Sequence, residues 1–268
     1  MKYAPYSASK IAVFNQCKRK FQYKYIDKIK TPFEPSVALT KGNIVHSFLE
    51  HHELPLADKI TKIKKEKQIA NSPYFTKELV KECIGIYNSY LETSQGQENF
   101  SNKTLGNELK IALNKKLEPC EYYGSDVLFR GFIDRISVDT NTDIVYIKDY
   151  KTGKNKSEGP YKLTFDQLMY YSAWYFAKFP VDKIIIEYDF VEHTHEPYMK
   201  ELTRENVVKY KKFLVQSITT IEKCDSWDKN NTPLCSYCDY QVHCQNDNYI
   251  GMNNGVPEIE IDEDEIPF

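Results

Sequence analysis

The stretch GFIDRISVDTNTDIVYIKDYKTG, residues 131–153, decides the fold of this chain. Two apolar segments flank the turn residues TNT, so the stretch predicts a β-hairpin. Asp134 comes before the turn, Asp149 follows it, and Lys151 lies two residues further on. Aspartate is disfavoured in strands and a buried, unpaired lysine is costly, so this arrangement requires a compensating interaction.

Pairing of the two strands would bring both aspartates to one edge of a sheet. Neighbouring carboxylates repel each other unless a cation lies between them, and Mg²⁺ or Mn²⁺ suits such oxygen ligands. Asp149 and Lys151 share a face because side chains alternate along a strand. A bound metal lowers the pKa of its water ligand, and the ammonium can position that water. The pattern indicates metal-assisted phosphodiester hydrolysis, and a merely charged hairpin end is the simpler interpretation.

The remaining sequence predicts a mixed α/β core with additional helices. Apolar residues at helical spacing predict helices over residues 6–27, 40–54, 59–67, 75–92, 163–179 and 204–224. Alternating segments predict strands over residues 107–114, 126–139, 143–152, 183–193 and 196–203.

Composition limits the class of protein. The 268 residues are 41% hydrophobic, which is enough for a core, and we expect a single domain over residues 1–250 followed by a flexible acidic tail, residues 251–268. No apolar run is long enough to span a bilayer and the amino terminus does not resemble a secretory signal, so we expect a cytoplasmic protein without membrane contact. Seven cysteines in such a protein favour metal binding over disulfides.

The motifs, taken in order, resemble the PD-(D/E)XK nuclease superfamily, in the RecB-like branch that includes the CRISPR-associated iron–sulfur exonucleases. The resemblance rests on His46 in GNIVHSFLE, Asp134 in GFIDRI, the D-x-K of KDYKTG, and Gln167 with Tyr171 in QLMYY. It extends over most of residues 7–245. It implies a restriction-endonuclease-like mixed sheet flanked by helices, and a Mg²⁺- or Mn²⁺-dependent deoxyribonuclease.

The resemblance also implies roles for individual residues. The implied metal ligands are His46, Asp134, Asp149 and the carbonyl of Tyr150. The implied catalytic residues are Asp134, Asp149, Lys151, Gln167 and Tyr171. Gln167 and Tyr171, one helical turn apart, would contact the substrate near the scissile phosphate. Glu108, in the preceding strand, is a weaker candidate for the outer shell of the site.

The segment CSYCDYQVHC, residues 235–244, places three thiols within ten residues and indicates a metal centre. Cys224 or His243 could complete a zinc site, and the distant Cys17 could instead complete a [4Fe–4S] cluster. Spacing does not choose between them. The resemblance implies the cluster, bound by Cys17, Cys235, Cys238 and Cys244 and joining residues 7–30 to residues 224–246.

The amino-terminal segment is strongly basic. Its residues Lys18, Arg19, Lys20 and Lys24, interleaved with aromatic rings, fit contact with the backbone and bases of a single strand. An amphipathic helix with a solvated basic face is the alternative for each of them.

The last seven residues, Asp262 to Phe268, read DEDEIPF and resemble the tip of bacterial single-stranded-DNA-binding proteins. Such a tip could dock on a replication or repair partner or fold over the protein's own DNA channel, and a disordered solubilising tail is the alternative.

The sequence as a whole predicts an exonuclease acting on single-stranded DNA or DNA ends, in recombination, repair, replication or phage DNA processing. No GxxxxGK[ST] motif is present, so any unwinding would come from a partner. The alternative from another functional class is a non-catalytic DNA-binding or recruitment protein, which the D…D-x-K set disfavours.

Overall fold

The computed structural model describes residues 1–31, 35–154, 163–193 and 198–246. These form two compact units, whose described parts are residues 1–11, 35–154, 163–193 and 198–222 in the first and residues 12–31 and 223–246 in the second. The predicted acidic tail, residues 251–268, and its DEDEIPF tip lie outside the described residues. The prediction of one domain over residues 1–250 stays a prediction.

A mixed five-stranded sheet forms the centre of the first unit. Its strands, in the order in which they neighbour one another, are β1 (Lys103–Asn114), β2 (Val127–Val138), β3 (Val145–Lys151), β4 (Lys183–Phe190) and β5 (Tyr198–Thr203). Among these described strands, only the pairing of β3 with β4 is parallel, and the other three pairings are antiparallel. The sequence therefore predicted the five described strands and the hairpin of β2 and β3 correctly.

Helices flank this sheet, as the sequence predicted. The described α-helices are α1 (Ala8–Gln16), α2 (Lys18–Phe21), α3 (Val37–Glu50), α4 (Leu56–Ile63), α5 (Lys67–Ala70), α6 (Lys77–Glu92), α7 (Ser94–Ser101), α8 (Asp166–Lys178), α9 (Val207–Glu222) and α10 (Gln241–Gln245). Two of the long helices begin after a residue that caps them. The side-chain oxygen of Ser36 caps α3 and that of Thr76 caps α6, each by accepting a hydrogen bond from a backbone N–H of the first turn.

Two of these helices, α3 and α8, pack beside the strand that carries the D-x-K motif. Helix α3 packs against α6 around a core that includes Ile44, Val45 and Phe48, together with the buried ring of Tyr150 from β3. Helix α8 provides the crossover between the parallel strands β3 and β4 and packs against both. The carboxyl end of β3 therefore lies between residues presented by α3 and by α8.

Helix α7 was not predicted, because its sequence SQGQENFS is polar and has no apolar period. Local contacts explain its formation. Thr93 ends α6 and caps α7 by accepting a hydrogen bond from the backbone N–H of Gly96. A Cβ on Gly96 would lie 2.1 Å from the carbonyl oxygen of Tyr90, so only glycine permits this close approach of the two helices.

The predicted helix over residues 6–27 is interrupted in the structure. Cys17 is extended and separates α1 from α2, and its sulfur accepts a long hydrogen bond of 3.5 Å from the backbone N–H of Lys20. A π-helical segment, Gln22–Ile26, follows. Apolar periodicity does not reveal the break because it continues across Cys17.

None of the described helices combines the length and the apolar character needed to cross a membrane. The cytoplasmic location stays a prediction.

Candidate active site

The hairpin of β2 and β3 brings Asp134 to the end of β3. The register pairs Arg135 with Lys148, so Asp134 and Asp149 occupy the next positions on the two strands. The backbone N–H of Tyr150 donates a hydrogen bond of 2.8 Å to Asp134 Oδ2. The two carboxylates of the sequence motif therefore meet at one sheet edge.

Helix α3 and strand β1 add two more side chains to this edge. His46 Nδ1 lies 3.4 Å from Asp134 Oδ2, and His46 Nε2 lies 3.0 Å from the carbonyl oxygen of Tyr150. One ligand atom each from His46, Glu108 and Asp134 lies within 4.8 Å of the other two. Within the described part of the chain, no other group of three or more histidine, cysteine and acidic residues lies this close together.

Asp149 is contacted by one residue of helix α8 and by one residue of its own strand, β3. Gln167 Nε2 donates a hydrogen bond of 2.6 Å to Asp149 Oδ1 and lies 3.3 Å from the hydroxyl of Tyr171. Lys151 forms an ion pair with Asp149 Oδ2, which makes no hydrogen bond among the described residues. All the motif residues of the hairpin and of α8 thus converge on one site.

The electrostatics of the site favour a bound cation. Burial raises the pKa of Asp134 well above its usual range, and the charges of Asp149 and Glu108 raise it further. Burial also raises the pKa of Glu108 to about 7, with Glu50 and Asp149 adding to the effect. Burial lowers the pKa of His46, which favours the neutral imidazole that binds metals. Imidazole, carboxylate and carbonyl donors fit Mn²⁺ or Mg²⁺, and a cation would relieve the repulsion between the acids.

Two hollows lie beside these residues. The larger, about 680 Å³, is lined by His46, Glu108, Tyr150 and Lys151, among others. The smaller, about 370 Å³, is lined by Asp134, Gln167, Tyr171 and neighbouring residues. Phe132 lines both. A ligand in these hollows could therefore reach His46, Glu108 and Lys151 from the larger one and Asp134, Gln167 and Tyr171 from the smaller one.

Glu108 is more central than the sequence indicated. The register of β1 with β2 places it opposite Asp134, between the pairs Asn107–Arg135 and Leu109–Ile133. Its backbone φ is 46°, a left-handed conformation that is rare for glutamate and that is found preferentially at functional sites. The sequence could have revealed that Glu108 lies near Asp134, through the pairing of β1 with β2. It could not have revealed the left-handed backbone conformation of Glu108.

This strain leads to a prediction for two variants at position 108. Glu108→Gly should be more stable than Glu108→Ala by about 1 kcal/mol, because only glycine adopts the left-handed region without a steric penalty. Both variants should bind Mn²⁺ more weakly, because both lose the carboxylate. Urea unfolding and calorimetric titration with Mn²⁺ measure the two effects. Equal stability of the two variants would contradict the strained backbone.

Gly131 permits the position of Tyr171. A Cβ at Gly131 would lie 2.6 Å from Cε1 of the Tyr171 ring, so alanine would displace that ring and with it the neighbouring Gln167. We expect Gly131→Ala to lower kcat/KM for the predicted phosphodiester hydrolysis by about tenfold, as misplacement of catalytic groups does. In a background of Tyr171→Ala the same change should have little further effect. Additive losses in the double variant would show that Gly131 acts elsewhere.

Comparison with known proteins agrees with this geometry. The family model of the PD-(D/E)XK nuclease superfamily matches residues 5–245. The chain belongs to this superfamily. Its mixed sheet flanked by helices is thus the fold of a nuclease superfamily, as the sequence predicted, and the roles of the D-x-K residues and of Asp134 stay predictions. The model does not distinguish the CRISPR-associated branch, which stays a prediction.

Two solved structures are similar to this nuclease-superfamily chain. A protein from Eubacterium rectale called a "putative exonuclease" is 13% identical, with a TM-score of 0.48, over 94% of this chain and 90% of that one. The protein SSO0001 is 14% identical, with a TM-score of 0.33, over 87% and 84%. At these values neither carries an argument about function. No curated protein matches the sequence.

The second unit of this superfamily member contains the predicted cluster ligands. A cavity of about 420 Å³ is lined by residues that include Cys17, Cys235, Cys238 and Cys244. Cys224 and His243, the alternative zinc ligands, are not among its lining residues. Among the residues described, no three cysteine sulfurs approach within 4.8 Å of one another. The four cysteines therefore share a cavity without forming a compact single-ion site.

The predicted nucleic-acid contacts of the basic segment differ in exposure. Lys24 is exposed, whereas Lys18 and Lys20 are half-buried. Arg19 is buried, and its guanidinium donates hydrogen bonds to the Tyr23 hydroxyl at 3.1 Å and to Gln22 Oε1 at 2.7 Å. Arg19 is therefore largely enclosed within the unit, and its predicted contact with nucleic acid stays a prediction. The sequence did not show this because the charge alone carries no information on burial.

Proposed function

We propose that this chain is a divalent-metal-dependent deoxyribonuclease that digests single-stranded DNA or DNA ends. The observation that carries the proposal is the group formed by His46, Glu108 and Asp134 beside the Asp149–Lys151 pair, in a member of a nuclease superfamily. A metal bound there would activate water and stabilise the charge that develops on the phosphate.

The protein's own groups supply position and charge. His46, Glu108, Asp134, Asp149 and the Tyr150 carbonyl would hold Mn²⁺ or Mg²⁺. Gln167 orients the carboxylate of Asp149 by its hydrogen bond to Oδ1. Lys151, paired with the same carboxylate, lies where its ammonium can orient a water and offset negative charge on the phosphate. Tyr171, which burial and the nearby aspartates keep protonated by raising its pKa, can donate a hydrogen bond to the substrate.

We also propose that Cys17, Cys235, Cys238 and Cys244 hold a [4Fe–4S] cluster, as in the iron–sulfur members of the RecB-like branch. Their shared cavity supports the proposal. A zinc ion completed by Cys224 or His243 is the alternative to the cluster. The role of the cluster would be to join residues 12–31 to residues 223–246 within the second unit. Iron and sulfide analysis with absorption spectroscopy of anaerobically purified protein tests it, and a colourless, zinc-containing protein would contradict it.

The nuclease function is tested by digestion of end-labelled linear and circular single-stranded DNA with Mn²⁺. We expect the linear strand to be degraded and the circle to survive, with no digestion in EDTA. Cleavage of the circle would replace the exonuclease assignment with an endonuclease. DNA binding without digestion of either substrate would contradict the enzyme and favour the recruitment protein.

A further inference from the structure

An exposed cluster of rings and cations lies beside the candidate site on β1, β2 and the loop between them. We call it the stacking patch, and it consists of Lys110, Tyr122, Tyr123, Arg130 and Phe132. Tyr123 is 77% exposed and Phe132 is 41% exposed, so the rings do not belong to the core. Two exposed large rings on either side of the half-buried Tyr122 require an explanation, because single exposed rings are ordinary but contiguous ones mark interaction sites.

The members of the stacking patch contact each other. The ring centroid of Tyr122 lies 4.9 Å from that of Tyr123 and 5.3 Å from that of Phe132. Lys110 Nζ lies 5.8 Å from the centroid of Tyr122 and 5.3 Å from that of Tyr123, and Arg130 Cζ lies 5.2 Å from that of Tyr122. Lys110 also donates a hydrogen bond of 3.3 Å to the Tyr123 hydroxyl. The cations therefore support the rings while remaining near the surface.

The stacking patch is continuous with the candidate catalytic edge. Phe132 and Asp134 are two residues apart and therefore lie on the same face of β2. Lys110 of β1 is the cross-strand partner of Phe132. Two residues along a strand advance by about 7 Å, similar to the spacing of phosphates in a stretched single strand. Phe132 also lines both hollows beside the metal-ligand group. A strand with its phosphate at Asp134 would extend over the patch.

The residue types in the stacking patch indicate which kind of molecule it binds. Aromatic rings interleaved with lysine and arginine bind single-stranded nucleic acid, in which bases stack on the rings and phosphates pair with the cations. Bases of a duplex are already stacked on one another and cannot use the rings. Resting on the proposed nuclease function, we propose that the stacking patch binds the unpaired bases of a DNA strand next to the scissile phosphate.

The test uses the full-length protein in EDTA and a single-stranded oligonucleotide containing 2-aminopurine, whose fluorescence is quenched by stacking. The wild type should quench the probe. Tyr123→Ala and Phe132→Ala should each weaken binding by about tenfold and lose most of the quenching. Tyr123→Phe should retain both, because it keeps the ring. Tyr74→Ala is the matched control, since Tyr74 is a 40% exposed tyrosine outside the patch.

Two results would overturn the inference. The first is wild-type affinity and quenching in both alanine variants, and the second is failure of the wild type to bind the single strand. Adding Mn²⁺ to the same samples tests the nuclease separately. A protein that stacks the probe but does not cut DNA contradicts only the proposed function, and one that cuts DNA with unchanged binding in the variants contradicts only the patch.

Discussion

Replacing Lys148 with methionine is expected to lower the free energy of unfolding by about 3–5 kcal/mol. Lys148 is 3% exposed, and its Nζ lies 3.0 Å from Glu187 Oε2 and 3.9 Å from Asp189 Oδ2, both of which are buried. Methionine fills a similar volume but leaves two buried carboxylates without their cation. Burial already raises the pKa of Asp189 to about 7, and the Lys148 charge opposes that rise. Urea unfolding at neutral pH measures the loss.

The matched control is another lysine–glutamate pair of the same sheet. Lys183 lies 3.2 Å from Glu201, but both side chains are about half exposed, so Lys183→Met should cost under about 1 kcal/mol. Similar losses in the two variants would contradict the importance of burial at Lys148. Lys148 and Tyr150 alternate with Asp149 along β3. The buried ion pair of Lys148 with Glu187 therefore stabilises the strand that carries the candidate site.

Replacing Lys151 with alanine is expected to lower the rate of DNA cleavage by about 10²- to 10³-fold, the loss typical of a group that stabilises transition-state charge. The loss should appear in kcat, while DNA affinity in the absence of a catalytic metal should change little. Asp149, no longer paired with an ammonium, should remain hydrogen-bonded to Gln167, so the fold should persist.

The neighbouring lysine provides the control for this prediction. Lys154 is exposed and lies three residues further along the chain, and Lys154→Ala should cleave DNA at close to the wild-type rate. Single-turnover digestion of an end-labelled strand separates the chemical step from product release. A loss in Lys151→Ala of less than about tenfold would contradict its proposed role at the reacting phosphate.

The hairpin and its acids could be predicted from sequence because their positions depend on local rules. Alternation along β3 places Asp149 and Lys151 on one face, and helical spacing places Gln167 beside Tyr171. The structure brings all four together. Their roles as ligands and catalysts stay predictions until activity is measured.

Other features depend on contacts that the sequence does not encode locally. The left-handed backbone of Glu108 and the extended Cys17 arise in segments whose apolar period suggests regular structure. Arg19 is buried and its guanidinium donates hydrogen bonds to Tyr23 and Gln22, although its charge alone indicates the surface. Tertiary context, which overrides propensity and periodicity, decides such positions.

The central claim is that His46, Glu108, Asp134 and Asp149 form a divalent-metal site. It is tested most directly by calorimetric titration of metal-free protein with Mn²⁺, comparing the wild type with Asp134→Asn. The control is Asp182→Asn, at an exposed aspartate near the start of β4. We predict that the wild type and the control bind Mn²⁺ equally and that Asp134→Asn binds it at least about tenfold more weakly. Equal binding by all three proteins would contradict the account.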